Sequence, residues 1–104
     1  MAKFLMVYHG GKAPDSPEEG EKVMAQWHAW FGGIGENIVD PGNPVGQSHT
    51  VSAKGVVADG GPNPVSGYSI INAADIEAAK AVAAGCPMVL DGSGTVEVAE
   101  AIDM

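Results

Sequence analysis

The sequence predicts an α+β fold: two helices alternating with four main strands, a ferredoxin-like split βαβ sandwich with an inserted hairpin. Three observations carry the prediction. An apolar run at residues 3–9, "KFLMVYH", is closed by Gly10 and Gly11. A capped segment with helical periodicity follows it, and a second strand–helix pair returns at 67–85 before a closing apolar alternation.

The first run reads as a strand because it is short, nearly unbroken and bounded by glycine. Phe4, Met6 and Tyr8 fall on one face, Leu5 and Val7 on the other, so the strand is expected to be central and covered twice. In "APDSPEEGEKVMAQWHAWFGGIG", Ser16 caps, Pro17 suits the first helical position and Glu19 completes a Ser-x-x-Glu capping box. Glu18, Glu19 and Glu21 lie at the positive end of the helix dipole. Val23, Trp27, Trp30 and Ile34 form one apolar stripe, and the glycines at 32, 33 and 35 let the helix stop near Glu36 or Asn37.

Between Ile38 and Gly67 the composition turns to glycine, proline and asparagine. "NIVD" and "HTVSAKGVVAD" read as strands, the second as a hairpin turning near Ala53–Gly55. "DPGNPVG" and "DGGPNPVSG" share turn chemistry rather than a repeat, since Asp, Gly, Asn and Pro are each favoured in turns. "GYSIINA" at 67–73 is another strand. Asp75 then caps "IEAAKAVAAG", whose small stripe of Ile76, Ala79 and Ala83 allows close packing, and Pro87 forbids continuation. "TVEVAEAIDM" closes the chain as a strand, with Val96, Val98, Ile102 and Met104 on one side.

Two helices on one sheet face leave the other uncovered, yet the first strand is apolar on both sides. The economical solution is a second copy packed sheet to sheet, so a homodimer is expected.

The 104 residues are enough for one domain with a modest core. Thirteen acidic against 5 basic residues give a net charge of −8, which argues against nucleic acid and anionic membrane surfaces as partners. No apolar run approaches the about 18 residues of a membrane span, and the N-terminus is too short for a signal sequence. One cysteine cannot make an internal disulfide, and a cytoplasmic, reducing compartment is expected.

In order along the chain, "MVYHGG", "AWFGGIGENIVDPGNPVG", "GYSIINAADIEAAKAVAAGCP" and "GTVEVAEAI" resemble the YCII-related family, the YciI-like or DGPF domain. The resemblance spans nearly the whole chain and implies a dimeric α/β barrel version of the ferredoxin-like fold. It implies kinship with dehydrochlorinases and muconolactone-isomerase-like enzymes, or with small proteins found near or fused to sigma factors. In the YciI branch, a histidine on the first helix and an aspartate before a proline after the second are the proposed catalytic pair. Here Cys86 precedes Pro87, and His28 falls one to three residues beyond Ala25–Trp27, where that histidine is expected. Each step turns a helix by about 100°, so the pair is not carried over.

His28 lies at the edge of the tryptophan stripe, with Gly32 one turn on leaving space beside it. A histidine in such a place more often borders the core, although imidazole suits proton transfer near neutral pH. Its reading as acid/base, with Asp40 as orienter, competes with that packing role and with Asp40 as a turn residue. Trp27 packs by default and walls a pocket otherwise; Tyr8, Asn43 and Cys86 complete the candidate ligand-binding set. Cys86 follows the second helix, outside the helix N-terminus that would lower a thiol pKa, and a buried inert role is favoured. His9 and His49 read as ordinary exposed side chains. The histidines show no short metal-ligand spacing, and neither a P-loop nor a dinucleotide fingerprint is present, so no metal or cofactor is expected. The function expected is small-molecule binding, with cofactor-free elimination or isomerisation on a small aromatic-derived acid or lactone. Lys3, Lys12 or Lys54 would then have to offset the acidic surface. The alternative is a non-catalytic dimeric sensing or interaction module.

Overall fold

The apolar run near the N-terminus forms β1 (Ala2–Gly10), and the computed structural model describes all residues, 1–104. Four strands make one antiparallel sheet in the order β2 (Ile38–Asp40), β5 (Val65–Ala73), β1 and β6 (Gly94–Glu100). β1 is central, as its two apolar faces predicted. β3 (Thr50–Ser52) and β4 (Gly55–Val57) pair only with each other, which makes the predicted hairpin an arm outside the main sheet.

The alternation of β1 divides its residues cleanly. Phe4 and Met6 are fully buried and Tyr8 nearly so, beside Ile71 and Ala73 of β5. Each large apolar side chain so buried contributes about 1.5–3 kcal/mol. Both long helices cover this face. α1 (Pro17–Ile34) starts at Ser16, whose Oγ accepts the Glu19 N–H at 3.1 Å, and continues into a 3-10 turn at Gly35–Asn37. α2 (Ile76–Ala83) starts at Asp75, which accepts the Ala78 N–H at 2.8 Å, and its Ala79 and Ala83 reach the core. Trp30 joins the two helices: its Nε1–H donates to the Val82 carbonyl at 3.0 Å.

Two elements differ from the sequence reading. Pro87 does end α2, but it also occupies the first turn of a further short helix, α3 (Pro87–Leu90), because its missing N–H costs nothing there. β6 stops at Glu100 rather than running to Met104. Glu100 already pairs with Phe4, and the Ala101 N–H donates to the Lys3 carbonyl, so β1 has almost run out. Ile102 and Met104 are consequently exposed.

The second sheet face has no helix. Leu5 and Val7 point there, opposite Ile70 and Tyr68 of β5 and Ala99 and Glu97 of β6. Leu5 remains 36% exposed. No helix is long and apolar enough to cross a membrane.

Candidate functional site

On the helix side of the sheet, Tyr8 joins an aromatic cluster centred on Trp27 and Trp30. Its ring meets Trp27 edge-on at 5.1 Å between centroids, and Trp30 at 6.3 Å. Trp27 and Trp30 are 5.6 Å apart, with Phe31 against both. The helical stripe of the sequence thus fills the space between α1 and the sheet. The Tyr8 hydroxyl lies 2.7 Å from Ser69 Oγ, which lies 2.6 Å from the Pro41 carbonyl. A carbonyl only accepts, so the Ser69 proton points to Pro41 and Tyr8 donates to Ser69. Burial is the main cause that pushes the Tyr8 pKa up to about 12, against the lowering effect of Ser69, so this phenol is neutral near pH 7.

Of the sequence-predicted site residues, Tyr8 alone belongs to this relay. Trp27 is half-buried against Tyr8, and Cys86 is fully buried. The carbonyl of Asn43 accepts the Tyr68 N–H at 3.3 Å, while the Asn43 residue is exposed in its turn. Cys86 stands at the N-cap of α3 rather than simply beyond a helix end. Burial raises its thiol pKa and outweighs the lowering by the Met88 and Val89 backbone N–H groups, leaving a protonated, unreactive side chain.

His28 and Asp40 are not joined. His28 is exposed on α1. Asp40 Oδ1 accepts the Gly42 N–H at 2.8 Å, which closes the turn after β2. Gly42 has φ 72°, and a methyl group there would overlap the Tyr68 carbonyl, so the turn sits directly on β5.

The open sheet face carries a pair that the sequence reading missed. His9 Nε2 lies 2.9 Å from Glu97 Oε1, and Nδ1 lies 3.0 Å from the Asn63 carbonyl and 3.3 Å from that of Pro64. Every partner is an acceptor, so the ring is best satisfied as imidazolium. Its pKa is raised, first by the Glu97 hydrogen bond, against the opposing effect of desolvation. Only the cross-strand register could have revealed this contact: His9 faces Thr95, and Glu97, two residues on, is its diagonal neighbour. The backbone acceptors at Nδ1 orient the ring so that Nε2 meets Glu97. No three His, Cys, Asp or Glu side chains converge as a metal-ligand set.

Two open clefts flank the helices. One, of about 540 Å³ between α1 and α3, is walled by Trp30, Pro87 and Leu90, with Gln26 and Asp91 at its edge. The other, of about 310 Å³, lies between α2 and β6. His28 and Asp40 line neither.

No protein-family model matches the chain. No curated protein matches it by sequence. Among solved structures, it is similar to 5-chloro-2-hydroxyhydroquinone dehydrochlorinase from Burkholderia phenoliruptrix AC1100, in complex with 2,5-dihydroxybenzoquinone, with a TM-score of 0.60 and 15% identity. The match covers 98% of this chain and 95% of that one. At this identity the likeness shows the fold: a small α+β domain with an antiparallel sheet, consistent with the ferredoxin-like arrangement.

Proposed function

We propose that this protein is a homodimeric small-molecule-binding protein of the YCII-related kind, built as a dimeric α/β barrel, which performs cofactor-free proton transfer on a small hydroxylated ring. The observation that carries the reading is the end-to-end fold likeness to a dehydrochlorinase bound to a hydroxyquinone. The tryptophan-rich flank of α1 supports it, because indole faces suit a flat, weakly polar ring. Elimination or isomerisation of such a ring needs a base to take a hydroxyl or ring proton as electrons move to the leaving group or along the ring.

His28 with Asp40 is the proposed source of that base. His9 is not placed for that role: its ring, held by two backbone carbonyls and Glu97, is best satisfied as imidazolium and lies on the sheet face opposite the tryptophans. Trp27, Tyr8, Asn43 and Cys86 remain the proposed surroundings of the ligand. The uncovered apolar strand face supports the dimer.

The test uses 2,5-dihydroxybenzoquinone as probe for calorimetric titration, and release of chloride from a chlorinated hydroxyhydroquinone as the turnover assay. Binding by the wild type, with turnover lost in His28→Ala while affinity holds, supports the enzyme and assigns its base. No binding at millimolar probe overturns the ligand class. The second reading, a sensing or interaction module, is favoured by one feature: no hydrogen bond links His28 to Asp40, whose carboxylate is already engaged in its turn. It predicts probe binding with no chloride release from any variant.

A further inference from the structure

The arm formed by β3 and β4 has no apolar support within its own chain. Every residue from His49 to Pro64 is exposed. Val51 faces Val56 across the ladder, and these two are 75% and 67% exposed. The stem is closed by polar bonds only: Gln47 Nε2 donates to the Ala58 carbonyl at 2.9 Å, and Thr50 Oγ1 to the Asp59 carbonyl at 2.7 Å. An isolated two-stranded hairpin is at best marginally stable in water. With the arm included, the chain measures 43 × 43 × 20 Å.

Size and charge both point to what it meets. The accessible surface is 6915 Å², whereas a compact chain of this mass exposes about 5,500 Å². The excess, roughly 1,400 Å², is more than the about 800 Å² each partner buries in a standard interface. It leaves area for the arm as well as the open sheet face. Between Ser48 and Ala58 the arm carries Lys54 and no carboxylate, on a chain of net charge −8. A second copy is therefore an electrostatically complementary target. The base of the arm is also continuous with the open face, because the Asn63 and Pro64 carbonyls accept from His9.

We infer that the β3–β4 arm reaches over to a second copy of this chain and clasps it, seating the Val51–Val56 pair on the partner. This rests on the homodimer proposed above and adds a second contact to the sheet face. The experiment compares the wild type with the Val51→Ser/Val56→Ser double variant by sedimentation equilibrium. Amide hydrogen exchange of residues 50–57 is followed across the same dilution series. Both substitutions lie on exposed positions, so the variant keeps the fold. Expected are a wild-type dimer, arm amides protected about tenfold or more only at dimeric concentrations, and a dimer Kd raised at least about tenfold in the variant. A wild-type dimer whose arm exchange ignores concentration, with an unchanged Kd in the variant, overturns the clasp alone. A wild type that stays monomeric at every concentration overturns both the clasp and the homodimer.

Discussion

His9 and Tyr8 are adjacent on β1, yet strand alternation gives them opposite environments and opposite pH behaviour. The His9 pKa lies above its ordinary 6.5 because Glu97 and two carbonyls stabilise the imidazolium. Its contribution to stability is therefore fully present below that ordinary value and is lost as pH rises through the raised one. In Glu97→Gln the His9 pKa should fall and that slope should flatten. Proton NMR titration of the His9 ring, with urea melts at several pH values, checks both; an unchanged His9 titration means that the ion pair does not form in solution. Tyr8 acts at the alkaline end. Its pKa rises from 10.0 to about 12, so the folded state holds the phenolic proton longer than the unfolded chain does. Stability should fall between those values, by roughly 2–3 kcal/mol from this group. Ultraviolet titration should show a late phenolate step that disappears in Tyr8→Phe, and that variant should lose about 1 kcal/mol at neutral pH with its hydrogen bond to Ser69.

At the scale of elements, caps and turns differ in how much each holds. Ser16 satisfies one N–H at an exposed helix end, and Ser16→Ala should cost about 1 kcal/mol. Gly42→Ala should cost more, above about 2 kcal/mol, because a positive φ and an overlap with the Tyr68 carbonyl act together against a strand that cannot move. Denaturant melts that rank the two in the opposite order would show that the β2–β5 turn relaxes freely. The difference also explains what the sequence disclosed. Ser16–Pro17–x–Glu19 and Asp75 announce their helices by local chemistry, and "KFLMVYH" announces a central strand by its two apolar faces. Pro87 was legible as a stop but not as a start, because the same missing N–H serves both. The His9–Glu97 contact joins residues 88 apart, and the Tyr8–Ser69–Pro41 relay joins three segments; register creates both, and no local pattern encodes it. The tryptophan stripe was legible as packing, whereas which strand residue it met was not.

For the whole molecule, the sheet has one face sealed by α1 and α2 and one face bare. Met6 and Leu5 are neighbours in sequence, fully buried and 36% exposed respectively. A lysine at Met6 would place a charge in the core with no partner, a change that unfolds domains of this size. A lysine at Leu5 meets solvent in a single chain, so the isolated fold should tolerate it. Within a sheet-to-sheet dimer the same substitution puts two like charges into one apolar contact, where each is desolvated and they repel. Leu5→Lys should thus keep the far-ultraviolet circular dichroism of the wild type while raising the dimer Kd by about a hundredfold, or about 2.7 kcal/mol. Sedimentation equilibrium measures it. Should the variant associate as tightly as the wild type, the open sheet face is not the contact, and the unusually large surface of this chain must be covered elsewhere.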